Sequence, residues 1–337
     1  MRIGRSLVAV AFAVLLVALA GGGAVAPGQE KMSLKLVFAT PPTTGWLPHF
    51  VAKDLGWLDK AGLKVEEIWM TGDANAVRAL LAGQGDMTAT GVFATYSALV
   101  EEAKLKAIGS WQPTVDYQLL AQDRIKSVKD LTGVRVGAAG PRGLVYDIPR
   151  MVMKKHGIDP GTASFASIGG HEARMQAVVA GKVDVALVGM LYTAKALGEG
   201  RNVHVLTTVR DEFPGLGYVY LVGNEKDLAN PERRKAFETY VRLAIIEGSR
   251  FVMKNPDKAA EIMHGRTPDL KLDLIQEVVR GLNRLNVWGV NGGLEPEITE
   301  FTVKLAYDLG SIKRPLGVGE VIDRSIVEKL LGEMGRF

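Results

Sequence analysis

Two segments of the chain, residues 72–99 and 170–197, carry the same pattern of residues 98 positions apart. The clearest part is LAGQGD at residues 81–86, which returns as VAGKVD at residues 179–184. A repeat that holds one register over this length indicates a chain that builds one α/β unit twice, as two similar lobes. Two lobes leave a cleft between them, and small ligands commonly bind in clefts at domain interfaces.

The order of predicted elements in each repeat is strand, helix, strand, helix, strand, which is typical of a parallel sheet with helices on both faces. Nearly everything after residue 222 has apolar residues at helical spacing. We expect two chain crossings, near residues 109–113 and 213–218, that form a hinge and permit closure on a ligand. The predicted fold class is therefore α/β, with two lobes, a hinge of two crossing segments, and a helical C-terminal region packed on lobe one.

The two crossings divide the sequence into a discontinuous lobe and a continuous one. Residues 33–111 and 215–337 are predicted to form lobe one, and residues 112–214 are predicted to form lobe two. The chain length of 337 residues is enough for two domains of ordinary size.

The N-terminus has the pattern of a secretory signal peptide, predicted over residues 1–26. Arg2 and Arg5 precede the apolar run LVAVAFAVLLV, and small residues follow that suit cleavage between about residues 20 and 26. The apolar run is short for a membrane span, which needs about 20 residues. We therefore expect export to the periplasm through the Sec pathway.

The composition excludes several classes of site. The formal charge of +4 includes both N-terminal arginines, and no run of Lys or Arg supplies a surface for nucleic acid. The chain has no cysteine, so disulfides, thiolate zinc sites and a catalytic thiol are excluded. Its five histidines lack metal-ligand spacing, and GAAGPRG at residues 137–143 departs from the dinucleotide fingerprint. We predict no metal and no cofactor.

Five short segments in order along the mature chain carry a family resemblance. They are AKDLGWL with AGLKV (52–58 and 61–65), AGQGD (82–86), KDLTGVRVG (129–137), AGKVD (180–184) and KNPDKAA (254–260). The chain resembles the periplasmic solute-binding components of ABC transporters for nitrate, sulfonates, taurine and thiamine-pyrimidine precursors.

This resemblance implies a type II periplasmic-binding-protein fold and a non-catalytic function. The protein would capture a small molecule between its lobes and deliver it to an ABC transporter permease in the inner membrane, and we expect it to act as a monomer. The alternative is a thiamine-pyrimidine precursor-binding or synthase-like protein, because fungal thiamine-pyrimidine synthases share this fold. Those enzymes carry a cysteine-rich motif and lack a signal peptide, which disfavours that alternative.

Ligands of open α/β sheets bind beyond the carboxyl ends of the strands, and this rule selects the candidate ligand-binding residues. They are Thr43, Thr44, Trp46, Asp73, Asn75, Phe93, Trp111, Arg142, Gly143, His171, Tyr192 and Tyr218. The same rule places Asp86 and Asp184 at the opposite ends of their strands, where hydrogen bonding within turns is expected. Arg142 beside a helix N-terminus suits a sulfonate or carboxylate, whereas the tryptophans suit an aromatic acid or pyrimidine. An anion is the working hypothesis.

Overall fold

The computed structural model describes residues 32–140 and 143–337. The predicted signal peptide and the candidate residue Arg142 lie outside these described residues. Within the described ranges, no helix is both long enough and apolar enough to span a bilayer.

Ten strands in the described residues form two sheets of five strands each. The strands are β1 (Met32–Phe38), β2 (Leu63–Trp69), β3 (Met87–Gly91), β4 (Leu105–Gly109), β5 (Tyr117–Gln122), β6 (Arg135–Ala138), β7 (Ser164–Ser167), β8 (Val185–Gly189), β9 (Val203–Thr208) and β10 (Val219–Asn224). The first sheet has the order β2-β1-β3-β10-β4, and the second has the order β7-β6-β8-β5-β9.

Helices connect these strands and make up most of the C-terminal third. The α-helices of the described residues are α1 (Leu47–Asp54), α2 (Trp57–Lys60), α3 (Asp73–Leu81), α4 (Val92–Val100), α5 (Leu144–Lys155), α6 (His171–Val179), α7 (Met190–Gly198), α8 (Val209–Glu212), α9 (Glu225–Ala229), α10 (Pro231–Tyr240), α11 (Gly248–Lys254), α12 (Pro256–His264), α13 (Leu272–Arg284), α14 (Pro296–Asp308), α15 (Val318–Val321) and α16 (Ser325–Met334). Short 3-10 turns lie at Thr44–Trp46, Val128–Leu131 and Pro160–Thr162, and a π-helical stretch at Val241–Glu247 joins α10 to α11.

Both sheets are mixed, which corrects the expectation of wholly parallel sheets. β10 runs antiparallel between β3 and β4, and β5 runs antiparallel between β8 and β9. Each of these two strands follows a chain crossing, and its first residue pairs with the last residue of β3 or β8. A strand that enters the sheet at the carboxyl end of its neighbour must run antiparallel to it, and it needs no crossover helix.

The 98-residue repeat predicted from the sequence appears as a repeat of structure. The helices α3 and α6, the strands β3 and β8, and the helices α4 and α7 begin and end 98 residues apart. Gly83 and Gly181 follow the two matching helices α3 and α6 with φ of +72° and +69°. Glycine adopts this left-handed conformation without steric cost, and it is the usual residue just past a helix end.

The repeated aspartates Asp86 and Asp184 each fix the start of one parallel strand. The carboxylate of Asp86 accepts a hydrogen bond from the backbone N–H of Lys35 at 2.7 Å, and that of Asp184 accepts one from Arg135 at 2.8 Å. Each aspartate also forms an ion pair with an arginine, Arg233 for Asp86 and Arg135 for Asp184. The backbone partners belong to the adjacent strands β1 and β6, and Arg233 belongs to α10, so these contacts lie outside the local turn predicted for them. Both aspartates are structural residues at the amino ends of their strands.

The segment over residues 46–60 forms two helices, α1 and α2, instead of one. Gly56 breaks it with φ of +69°, a conformation that ends a helical turn. The C-terminal helices pack on the first sheet and on α1, as predicted, and α13 makes an additional contact with α7 beside the second sheet. The sequence pattern did not reveal this second contact. In addition, Arg210 on α8 donates to the carbonyl of Leu285, just past the end of α13, at 2.7 Å.

A cluster of aromatic rings fills the core behind the first sheet. Trp111 is fully buried, and its ring lies 5.5 Å from Trp46 and 6.1 Å from Tyr240, edge to face in both pairs. Phe38 at the end of β1 lies 5.3 Å from Trp46 and stacks on Trp69 at 4.3 Å. Such ring pairs stabilise the fold by more than the burial of their apolar area alone.

A buried polar network lies against these rings. The Nδ1 atom of His49 lies 2.8 Å from the Tyr240 hydroxyl, and its Nε2 lies 2.9 Å from the Glu67 carboxylate, which also pairs with Lys53 at 2.5 Å. Burial lowers the pKa of His49, which keeps the imidazole neutral. Burial alone would raise the pKa of Glu67, but hydrogen bonds from His49 and Lys53 outweigh that effect and lower it to about 2.

The lowered pKa of Glu67 predicts a loss of stability in acid. Because the unfolded carboxylate binds its proton near pH 4.5 and the folded one only near pH 2, this contribution is complete above pH 5 and is lost as the pH falls through that window. Between pH 5 and pH 3, the unfolding free energy of the wild type should fall by about 1–2 kcal/mol more than that of Glu67→Gln. Urea unfolding followed by circular dichroism at both pH values measures this difference, and parallel declines would contradict it.

Candidate functional site

The two crossing segments pair with each other and form a two-stranded hinge. Thr114 and Gly217 make an antiparallel bridge, and the N–H of Tyr218 donates to the carbonyl of Pro113 at 3.0 Å. The carboxyl ends of the parallel strands of both sheets lie at the cleft that this hinge spans. This is the edge where open α/β sheets bind ligands.

Two equivalent helices, one beside each sheet, both begin with a polar residue. Asp73 begins α3 and His171 begins α6, 98 residues apart. The Asp73 carboxylate accepts from the N–H of Gly91 at 2.7 Å, and His171 Nδ1 accepts from the N–H of Gly189 at 3.0 Å. Each side chain therefore fastens its helix to the end of the neighbouring strand, β3 or β8.

The backbone fixes the protonation of His171. A backbone N–H can only donate, so Nδ1 must be the acceptor and Nε2 carries the proton of the neutral ring. Nε2 lies 3.3 Å from the hydroxyl of Tyr117, to which it therefore donates. Burial and the charge of Arg174 both lower the pKa of His171 well below its usual value, in agreement with a neutral imidazole.

Two tyrosines from the hinge complete this chain of hydrogen bonds. The hydroxyl of Tyr218 donates to that of Tyr117 at 2.9 Å, and the two rings meet edge to face at 5.1 Å. Tyr192 on α7 stacks on the other side of His171, with ring centroids 6.0 Å apart. The imidazole is thus held between two aromatic rings, and both of its nitrogens have partners in the protein.

A second carboxylate lies in the first crossing segment, beside these tyrosines. Asp116 is buried, and its Oδ2 lies 3.4 Å from the N–H of Met190 at the start of α7. Burial raises the pKa of Asp116, although hydrogen bonds from Gln112 and Met190 oppose the increase. Burial also raises the pKa of Asp73, against the hydrogen bonds from Gly91 and Thr90.

Arg174 is the charged group that the sequence analysis missed. It is 2% exposed, its Nε donates to the carbonyl of Leu187 at 2.9 Å, and its Nη1 donates to the carbonyl of Gly169. The remaining nitrogen, Nη2, is buried and has no partner among the described residues. Arg174 follows His171 by three residues on α6 and is buried like it, so the two side chains lie on the same face of the helix.

These side chains form one group at the cleft, here called the cleft cluster. Its members are Tyr117, His171 and Tyr218, which share hydrogen bonds, Asp116 and Arg174 beside them, and Asp73 at the equivalent position of the first repeat. The wall opposite includes Gly143 at the start of α5: a Cβ atom there would lie 3.8 Å from Asp73 Oδ2. Gly143 has a φ of +97° that favours glycine, so the second lobe reaches the Asp73 carboxylate with backbone alone.

The loop after β1 adds a neighbouring wall. Thr43 caps the turn at Thr44 and accepts from the N–H of Gly45 at 3.2 Å. A Cβ atom on Gly45 would lie 3.3 Å from Gln112 Oε1 and 3.6 Å from the Tyr218 ring. Gln112 Oε1 is buried and has no partner among the described residues, so it is a further polar atom facing this space.

Several candidate residues from the sequence lie outside the cleft cluster. Trp46, Phe93 and Trp111 are 0–3% exposed and belong to the hydrophobic core, where apolar ring area is most stabilised. Asn75 is on the exposed face of α3, where it donates to the carbonyl of Thr71 and lines a surface hollow of about 520 Å³. All four residues follow the carboxyl ends of strands, so they remain candidates on the sequence argument alone.

Asp116, Tyr117 and Arg174 were not among the predicted site residues, although the sequence contains a partial signal for them. Asp116 and Tyr117 directly follow the first predicted crossing, so their position at the hinge was readable. Arg174 lies on the buried face of α6 with Met175 and Val178, an apolar stripe in which an arginine is unusual. No group of three or more histidines and carboxylates suited to a metal ion occurs in residues 32–140 and 143–337.

The sequence and the fold match known proteins at the level of family and architecture. The sequence model of the family described as NMT1/THI5 like matches residues 43–259, and a search of curated proteins finds no match. The sulphonate-binding protein SsuA from Escherichia coli is similar, with a TM-score of 0.65, 17% identity, and coverage of 87% of this chain and 92% of that one.

Two further solved structures give the same comparison. The nitrate-binding protein NrtA from Synechocystis PCC 6803 is similar, with a TM-score of 0.72 and 14% identity. The match covers 91% of this chain and 90% of the NrtA chain. The ligand-binding component of an ABC-type import system from Staphylococcus aureus has a TM-score of 0.72 at 14% identity, with coverage of 89% and 99%. At these identities the structures establish a shared fold, the two-lobed fold of periplasmic binding proteins. Since the sequence model matches more than half of the chain, this protein belongs to the NMT1/THI5-like family.

Proposed function

We propose that this protein is the extracytoplasmic substrate-binding component of an ABC importer, which captures a small solute between two lobes. The observation that carries the proposal is the cleft cluster, in which Asp73 and His171 bind the ends of β3 and β8 from equivalent helices and His171 continues into the tyrosines of a two-stranded hinge. The family match and the similarity to sulphonate- and nitrate-binding proteins support it. Lobe one would comprise residues 33–111 and 215–337, and lobe two would comprise residues 112–214.

This proposal includes a location and partners. The protein would be exported by its signal peptide, act as a monomer in the periplasm, and deliver its solute to a permease in the inner membrane. The proposed ligand residues are the cleft cluster with Thr43, Thr44, Gly143 and Tyr192, while Arg142 stays a candidate on the sequence argument alone.

We propose a binding function instead of an enzymatic one because three similar solved structures are binding proteins or ligand-binding components of importers. The neutral His171 uses Nδ1 to accept from Gly189 and Nε2 to donate to Tyr117. A general base needs an available lone pair within reach of the substrate proton. A synthase-like activity would therefore need a base other than His171.

A thermal-shift screen of the mature protein tests the proposed function. The panel contains alkyl and aryl sulfonates, taurine, nitrate, bicarbonate, aromatic carboxylates and the thiamine pyrimidine. A ligand present at 100 times its Kd adds about 2.7 kcal/mol of stability, which raises Tm by several degrees. A ligand recovered intact after incubation supports binding without turnover, whereas its chemical conversion by the protein would contradict the proposal.

A further inference from the structure

A contact outside the cleft cluster joins the two proposed lobes. The helix α13 packs on α12, which lies against α1 in lobe one, and it also packs on α7, which lies against β5, β8 and β9 of the second sheet. The hinge at Thr114 and Gly217 is a separate connection. The two lobes therefore meet at a second place, through side chains instead of through the crossing segments.

The closest part of this contact is formed by Met190 and Gly281. Met190 is the first residue of α7, and a Cβ atom on Gly281 in α13 would lie 3.4 Å from its Sδ atom. Glycine is unfavourable inside a helix, because it loses more conformational freedom on folding than alanine does. At this position it leaves space for the methionine side chain. Gly281 therefore allows α7 and α13 to approach each other closely.

Arg210 adds a polar bond beside the same contact. It lies on α8, and its Nη1 donates to the carbonyl of Leu285 at 2.7 Å. Leu285 is the residue that caps the C-terminus of α13. The last carbonyls of a helix lack intrahelical donors and lie at the negative end of the helix dipole. A guanidinium at this place satisfies one such carbonyl and complements the dipole.

The start of α7 connects this contact to the cleft cluster. The N–H of Gly189 donates to His171 Nδ1 at 3.0 Å, and the N–H of Met190 lies 3.4 Å from Asp116 Oδ2. The cleft cluster thus holds the backbone of Met190, while the side chain of Met190 touches α13. A rotation of the second sheet about the hinge would move α7 relative to α13 and break the contact.

The other side of the contact is fastened to lobe one. Beyond α13, the carbonyl of Gly292 accepts from the N–H of Ser110, at the start of the first crossing, at 2.9 Å. On α14, Thr302 Oγ1 accepts from the N–H of Gly217, in the second crossing, at 2.8 Å. The C-terminal region therefore holds the lobe-one ends of both crossings, and α13 stays with lobe one when lobe two moves.

We infer that Met190, Arg210, Gly281 and Leu285 form a latch between the lobes, here called the interlobe latch, which stabilises the closed cleft without touching the solute. The inference rests on the proposed function for its effect on binding, and on the hinge alone for its effect on lobe position. A contact made only in the closed arrangement shifts the population toward that arrangement. Breaking it lowers the closed fraction, and the affinity for a solute falls by the same factor.

Distances between two spin labels test the interlobe latch in the mature protein without ligand. The chain has no cysteine, so Arg78→Cys and Gln176→Cys supply label sites at equivalent, exposed positions of α3 and α6. Pulsed electron paramagnetic resonance gives the distribution of distances between the labels. Arg210→Ala should raise the ratio of open to closed molecules about threefold to tenfold, the effect of one hydrogen bond. Gly281→Phe should raise it at least about tenfold, because the ring competes with Met190 for the same space.

Matched variants separate the interlobe latch from general effects of substitution. Arg201→Ala removes an exposed arginine whose ion pair with Glu199 lies within lobe two, and it should not change the distribution. Gly332→Phe makes the same change at a helical glycine with nothing within 4 Å of a Cβ atom, and it should also match the parent. Met190→Ala added to Gly281→Phe makes room for the ring and should restore most of the closed population.

The possible failures are distinguishable. Distance distributions of Arg210→Ala and Gly281→Phe that both match the parent would overturn the inference and leave the proposed function intact. If Gly281→Phe does not fold, Arg210→Ala decides, because its side chain is exposed.

Calorimetry with the compound of the thermal-shift panel that binds most tightly tests the effect on binding. Its affinity should fall in each variant by the factor by which the closed fraction falls. Unchanged affinity in a variant whose closed fraction has clearly fallen would overturn the inference. If no compound of the panel binds, the proposed function fails, while the label distances still decide whether the interlobe latch holds the lobes.

Discussion

Replacing Trp111 with alanine is expected to lower the free energy of unfolding by about 3–5 kcal/mol, the usual cost of removing a buried tryptophan. The ring is fully buried between Trp46 and Tyr240, so its removal leaves a cavity that the surrounding rings cannot fill. Because domains are stable by only about 5–15 kcal/mol, this loss should be plain in urea unfolding followed by circular dichroism.

A matched control separates this effect from aromatic substitution in general. Tyr307→Ala removes a ring that is 45% exposed on α14, and its effect should stay within about 0.5 kcal/mol. The result also decides between two functions for Trp111. If Trp111→Ala were as stable as the wild type but bound ligand poorly, the ring would belong to the cleft wall and its assignment to the core would be wrong.

Replacing Gly248 with alanine is expected to destabilise the protein by about 3 kcal/mol, near the upper end for overpacking. A Cβ atom on Gly248 would lie 2.4 Å from the carbonyl oxygen of Pro48, where α11 crosses α1. The carbonyl oxygen belongs to the backbone of α1, and the Cβ atom would be bonded directly to the backbone of α11. Neither could move aside without separating the two helices. The change is therefore more damaging than the same contact with a flexible side chain.

Gly332 in α16 provides the control for this substitution. It is also a helical glycine, but a Cβ atom there would meet nothing within 4 Å. Gly332→Ala should leave stability unchanged or raise it by up to about 1 kcal/mol, because alanine favours the helix. Thermal unfolding of both variants gives the comparison, and a Gly248→Ala variant as stable as Gly332→Ala would refute the close helix crossing.

The repeat and the family segments were sufficient to predict the two-lobed architecture. The repeated pattern located β3, β8 and the helices that follow them, because each of these strands ends at a glycine, Gly91 or Gly189, directly before its helix. The antiparallel insertion of β5 and β10 was not predicted, since strand direction depends on the edge at which the chain enters the sheet. Local sequence carries no information about that edge.

The site was predictable only in part, for a similar reason. The rule that ligands bind at strand ends identified Asp73, His171 and Tyr218, but it cannot say which way a side chain points. It therefore also selected Trp46 and Trp111, which the structure packs into the core. Arg174 was missed because its importance lies in the partner that it lacks, which only the folded structure shows.

The repeat also explains why the two halves of the cleft differ chemically. The same helix position holds a carboxylate, Asp73, in the first lobe and a neutral imidazole, His171, in the second. Both accept from the N–H of the matching glycine, so the structural function is conserved between the repeats while the charge is not. A duplicated scaffold can in this way face an asymmetric ligand with two different walls.

Small-angle X-ray scattering of the mature protein, with and without the tightest ligand from the screen, tests the central claim most directly. If the protein captures a solute by closing two lobes about the hinge at Thr114 and Gly217, ligand should decrease the radius of gyration. Identical scattering profiles at a ligand concentration that calorimetry shows to be saturating would contradict closure, and with it the function proposed for this chain.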